Sequence, residues 1–179
     1  MIEPNKLHIL ASDGALPQLR VRLGDDSMRR TYLVVINDSP ESRVALRFAA
    51  RRAAKTKGKV EVLAVVQPQD FVQWGGVQAA IEEEQRLRIE ASVTASVGEI
   101  VDAAGIKPEI VVLAGDPVTV VRGYVGTRQD IAALVLGASP AGKPGPLVAD
   151  FTGNDAGKLP CPLMIIPGAL TDDQLENLS

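Results

Sequence analysis

Thr31-Tyr-Leu-Val-Val-Ile36, followed at once by Asn37-Asp38-Ser39-Pro40, is the stretch on which the fold turns. A strand with one wet face alternates apolar and polar residues. An unbroken apolar run such as residues 32–36 belongs instead to a strand covered on both faces, as in a parallel sheet. The residues after it are helix-cap types, and a proline in the first helical position loses only an N–H that would be unpaired there anyway. The stretch therefore predicts a strand, a cap and a helix running to about Lys57. Ala45, Phe48, Ala49 and Ala53 should face inward, and Gly58 should end it.

The cycle recurs along the chain. Residues 60–66 form a second β-rich run. Residues 77–104 follow as a long helical pattern in which Ile89, Val93, Val97, Ile100 and Ala104 recur at helical spacing, closed by Gly105. A third strand is predicted at 109–113, and Asp116-Pro117 restarts a helix whose Val118, Val121 and Val125 share a face. Residues 131–136 read as a fourth strand, 147–159 as a weaker helix spoiled by Gly153 and Gly157, and 163–166 as a short fifth strand. Strands alternating with helices imply βαβ crossovers. The predicted class is α/β, with an open, doubly wound, parallel five-stranded sheet and helices on both faces. Residues 31–168 make this domain. Residues 1–30 carry Pro4, Gly14, Pro17, Gly24 and Asp25-Asp26 without sustained period and read as a mobile N-terminal arm, with at most a short strand at 19–23. Residues 169–179 read as a polar tail.

Composition narrows the function. The 179 residues suit one core, and a net charge of −3 gives no electrostatic reason to expect nucleic acid or an anionic membrane as partner. Only 3% of residues are aromatic, so Val, Ile, Leu and Ala must build the interior. The lone Cys161 allows no internal disulfide and favours a reducing compartment. No apolar run is long enough to span a bilayer, and the first residues lack a signal-peptide pattern. The chain reads as cytoplasmic.

Catalytic constellations are missing from the pattern. The one histidine, His8, lies in the arm, so a Ser-His-Asp or Cys-His arrangement lacks a base, and one His with one Cys makes no ordinary zinc site. The sequence predicts no enzyme, no metal and no catalytic residue. Asp38, Asp116 and Asp150 are the only carboxylates near the presumed functional edge. Cys161, between Pro160 and Pro162, reads as a small buried apolar residue. Glu82-Glu83-Glu84 reads as a solvated helix face, and Lys55, Lys57 and Lys59 suit a helix C-terminus. The loop Phe71-Val-Gln-Trp-Gly-Gly76, with the only tryptophan, reads first as a flap packed on the domain and second as a partner-binding patch. Gly137-Ala-Ser-Pro-Ala-Gly-Lys-Pro-Gly145 is the one glycine-rich loop in a phosphate-cradling position, against a plain connection as the simpler reading. It is neither a Walker loop, since Pro144 follows Lys143, nor the dinucleotide fingerprint, which belongs after a first strand.

Leu33-Val-Val-Ile-Asn-Asp-Ser-Pro-Glu-Ser-Arg-Val-Ala-Leu46 resembles the opening of the universal stress proteins, which run from a strand through Asp-Gly-Ser into a helix. Leu134-Val-Leu-Gly137 and Leu159-Pro-Cys-Pro-Leu-Met-Ile-Ile-Pro167 are similar to that family's fourth and last strands. The resemblance covers about residues 31–168. It implies sheet order 3-2-1-4-5, a homodimer through Leu163, Met164, Ile165 and Ile166, and, in some members, ATP or AMP between strands one and four. The matching nucleotide positions are Asn37, Val65, Leu136, Gly137, Pro140, Gly142, Lys143, Ala149 and Asp150. Asn37 stands where the family has aspartate, Pro140 where it has a second glycine, and Ala149-Asp150 near its final Gly-Ser. Pro140 removes a backbone donor. Asp150 would set a carboxylate against phosphate at a helix N-terminus, costing roughly 4 kcal/mol at 4 Å and an effective dielectric of 20. Lys143, Gly142 and Gly145 offset part of this. The resemblance thus implies a non-enzymatic, homodimeric stress-response binding or scaffold protein with a degenerate nucleotide pocket, unidentified protein partners and no required cofactor. The alternative is an ATP- or AMP-binding sensor that uses the loop after Gly137.

Overall fold

The computed structural model describes residues 30–37, 39–66, 91, 94, 97, 98, 105–153 and 156–179. The expected strand at 19–23, most of the helix at 77–104 and the loop of Phe71 to Gly76 lie outside them. In chain order the elements are β1 (Thr31–Ile36), α1 (Pro40–Thr56), β2 (Lys59–Val66), β3 (Glu109–Ala114), α2 (Pro117–Gly126), β4 (Ile131–Ala138), α3 (Pro146–Phe151), a 3₁₀ turn (Ala156–Lys158), β5 (Leu163–Pro167) and α4 (Asp172–Leu178). The strands form one parallel sheet ordered β3-β2-β1-β4-β5. This is the α/β architecture that the alternating pattern predicts.

All six residues of β1 are buried, as the unbroken run requires. Tyr32, Val34 and Ile36 join the core beneath α1, together with Val97, which is helical. Leu33 and Val35 point the opposite way, into the core shared with Val121 and Val125 of α2 and Val148 and Phe151 of α3. The strand's two-residue period thus feeds two cores from one segment. Ser39 caps α1, its hydroxyl accepting from the Ser42 amide at 3.3 Å, with Pro40 in the first turn.

Several boundaries differ from expectation for local reasons. Helix α1 ends at Thr56, and the left-handed residue is Lys57 (φ 54°) rather than Gly58. Gly58 is needed for room instead, because a Cβ there would lie 2.5 Å from the Arg30 carbonyl oxygen. The helix expected over 147–159 begins at Pro146 and stops at Phe151, and only the 3₁₀ turn at Ala156–Lys158 continues it. Gly153 and Gly157 both fall beyond that early stop. The polar tail contains α4. Thr171 and Gln174 form a capping box and Leu175 is fully buried, so the segment docks along α1.

At the amino ends of the strands, Glu61 of β2 is 2% exposed and is held by a network reaching α2, the loop before β4 and β1. Its carboxylate accepts from the Tyr124 hydroxyl at 2.5 Å and from both terminal nitrogens of Arg128, at 3.0 and 3.3 Å. Arg128 also makes two 2.7 Å bonds to Asp130, which in turn accepts from Thr31 of β1 at 3.3 Å. Arg128 holds the Asp130 carboxyl down at about 2. A buried carboxylate is costly unless paired and hydrogen-bonded, and here both conditions are met.

Burial, then the neighbouring Glu61 carboxylate, push the Tyr124 phenol up to about 12. A raised phenol pKa favours the folded state fully below the ordinary value of 10.0 and progressively less as pH climbs towards 12. Denaturant unfolding should therefore show stability falling between pH 10 and 12 in the native chain. Tyr124→Phe should lose that slope and cost about 1 kcal/mol at neutral pH.

Candidate ligand cleft at the carboxyl ends of the strands

Where β1 and β4 lie side by side, the chain leaves β1 towards α1 on one face and β4 towards α3 on the other. Such a switch point opens a crevice beyond the carboxyl ends of a parallel sheet. Here it measures about 490 Å³. Its floor is the ends of β1, β2 and β4, from which Asn37, Val65, Leu136 and Gly137 line it. One wall is the first turn of α1, with Ser39, Glu41 and Ser42. The other is Pro144 to Val148, entering α3.

Gly137 sets the width of this crevice. A Cβ at Gly137 would lie 2.9 Å from the Ser42 amide nitrogen and closer still to the Glu41 carbonyl. Gly168, just after β5, packs on the same turn: its Cβ would fall 2.7 Å from that of Glu41. The first turn of α1 therefore rests almost directly on the backbone of β4.

The polar groups on this wall are largely spent on one another. Ser42 Oγ lies 2.6 Å from the Asn37 carbonyl and 2.8 Å from that of Ser39. The Asn37 side-chain oxygen accepts from the Ser39 amide at 3.2 Å, closing an Asx-type turn. Among the described residues, Glu41 is the only charged residue lining the cleft.

The structure brings together four of the nine positions matched to nucleotide binding, Asn37, Val65, Leu136 and Gly137, and separates the rest. Pro140, Gly142 and Lys143 are exposed on the loop and do not line the cleft. Ala149 and Asp150 sit late in α3, which begins at Pro146 with Gly145 as its N-cap. Asp150 is therefore not at the helix N-terminus. Its carboxylate lies 2.7 Å from Arg122 of α2, whose guanidinium also stacks on Phe151. The residues that do form this wall, Gly145 and Pro146, carry a sequence signal: a glycine able to take φ 103° before a first-turn proline.

Asp116 caps α2, accepting from the Thr119 amide and hydroxyl at 2.9 and 2.8 Å, and these bonds hold its pKa below the ordinary range. Asp38 lies outside the described residues. Burial pushes the half-buried Cys161 thiol up, which suits an inert side chain. No group of three or more His, Cys, Asp or Glu residues among those described stands ready for a metal. On β5, Leu163 and Met164 are half-buried, Ile166 is buried and Ile165 is 39% exposed, on a strand that pairs along one side among the described residues.

Gly137→Ala should destabilise the fold by about 1–3 kcal/mol, because the added methyl meets helix backbone and not a movable side chain. Gly142→Ala, in open space, should cost only what its left-handed backbone demands, about 1 kcal/mol. Denaturant unfolding of the two variants orders them, and Gly137→Ala should also narrow the cleft.

A comparison with curated protein sequences returned no match. Solved structures do share the fold. A universal stress protein from Burkholderia pseudomallei superposes with a TM-score of 0.58 at 18% identity, over 80% of this chain and 99% of its own. Lactobacillus plantarum UspA gives 0.61 at 13% identity, over 79% and 99%. A universal stress protein in complex with cAMP gives 0.54 at 19%, over 76% and 96%. The sequence model of the universal stress protein family matches residues 28–167. The chain belongs to the universal stress protein family.

Proposed function

We propose that this protein acts by binding and not by catalysis, as a homodimeric stress-response scaffold. Its switch-point cleft takes at most the nucleoside part of an adenine nucleotide. The observation that carries the reading is the lining. Val65, Leu136, Leu147 and Val148 offer an apolar slot, Glu41 brings negative charge, and Lys143 stands outside. Pro144 and Pro146 also withhold backbone donors from the wall where a phosphate cradle would need them. A triphosphate gains little in such a slot and meets a carboxylate. The absence of catalysis is supported by the occupation of Asp116 with Thr119 and of Asp150 with Arg122, which leaves neither carboxylate unengaged as a base.

The second reading, a nucleotide sensor, has its own support. The cleft lies at the position where ligands collect in such sheets, and a relative of the same fold is a cAMP complex. Thermal unfolding with millimolar adenosine, AMP, cAMP and Mg-ATP separates the two. A ligand at about 100 times its dissociation constant adds roughly 2.7 kcal/mol, an obvious shift. The scaffold reading expects Mg-ATP to do no better than adenosine, with no ATP turned over. A shift of several degrees with ATP or cAMP and none with adenosine replaces it with the sensor.

Dimerisation is proposed through β5. An apolar edge strand leaves a row of unpaired backbone groups, and pairing with its own copy about a two-fold axis satisfies them. Light scattering on a sizing column should give twice the 18.9 kDa chain mass. Ile165→Lys, placing charge on the exposed position of the seam, should release folded monomer. A native monomer at tens of micromolar contradicts the proposal.

A further inference from the structure

On its outer face, α1 carries Arg47, Arg51 and Lys55 at four-residue spacing, and α4 carries Asp172 and Glu176 at the same spacing. The two rows mesh. Asp172 lies 3.7 Å from Arg47 and 3.4 Å from Arg51. Glu176 lies 3.2 Å from Arg51 and 3.4 Å from Lys55, and the Lys55 ammonium donates at 2.7 Å to the Glu176 carbonyl. Between the acidic residues, Leu175 is fully buried in the core beneath α1.

We infer that this face of α1 is a docking groove for an acidic amphipathic helix, and that the chain's own α4 occupies it as a releasable internal ligand. The argument is one of magnitude. A helix of seven residues does not hold together alone in water, so α4 is helical because it is docked. Its carboxylates are more than 60% exposed, so each pair contributes about 0–1 kcal/mol and is screened by salt. One buried leucine adds about 1.5–3 kcal/mol. The docked state therefore opens well below global unfolding. Opening bares three cations around an empty apolar seat. The four residues 168–171 tether α4 at an effective concentration on the order of millimolar. A competitor must repeat the pattern of α4: carboxylates four residues apart, with a leucine immediately before the second.

The test uses the full-length chain carrying Asp172→Lys with Glu176→Lys, whose own α4 is repelled from the groove. A fluorescent peptide of residues 170–179 is titrated to millimolar and followed by anisotropy. The double variant should bind it about tenfold more tightly than the native chain, and about 0.5 M NaCl should weaken that binding severalfold. Adding Arg51→Glu should abolish it. Equal binding by the native chain and the variant, or no binding by the variant, overturns the groove. Hydrogen exchange on the native chain gives a second readout independent of the variant. The Leu175 and Ser179 amides should exchange about tenfold faster in 0.5 M than in 0.02 M NaCl while Val135 is unchanged. Exchange of those amides that follows global unfolding at both salt levels also overturns it.

Discussion

The close approach of α1 to the backbone of β4 is the constraint on which the rest of the structure depends. At Gly137 the helix's first turn comes nearer than any side chain permits, and Gly168 receives the same turn from the β5 side. This contact ties β4 and the end of β5 to one helix and sets the width of the crevice beside them. The resemblance assigns Gly137 to a ligand. The structure assigns it a packing duty first, and that duty holds whether or not anything binds.

The two ends of the sheet divide the work. At the amino ends, Glu61, Tyr124, Arg128 and Asp130 lock β2, α2 and the approach to β4 through charge-assisted bonds. At the carboxyl ends the strands stop against short turns whose polar groups bond mainly to each other, as Asn37, Ser39 and Ser42 do. The proposed binding role suits this arrangement: a charge-bonded frame at one end and, at the other, a slot whose lining can change without unfolding the domain.

What the sequence makes legible follows the strength of each physical signal. Runs such as residues 32–36 and 131–136 are unmistakable because burial on both faces suppresses every polar residue. The caps at Ser39 and Asp116 are equally plain, each followed by a first-turn proline. Loop register is not legible in this way. Matching the loop to a family pattern puts its end at Ala149-Asp150, whereas Gly145-Pro146 begins the helix and Asp150 turns to Arg122. The Glu61 network is hidden because its partners are distant in sequence and a single glutamate in a valine-rich strand reads as an outward residue. Helix α4 is hidden differently. Thr171-Asp-Asp-Gln174 spells a capping box, yet a short acidic segment reads as a tail until a basic helix face is found to receive it.

The central claim is that the crevice accommodates a nucleoside but provides no seat for phosphate. Amide chemical-shift mapping by NMR tests it most directly, by comparing adenosine with ATP at equal saturation. The account predicts that both ligands move the amides of Asn37, Val65 and Gly137 alike and leave Gly142 and Lys143, outside the cleft, unmoved. Shifts at Gly142 and Lys143 with ATP, absent with adenosine, would contradict it.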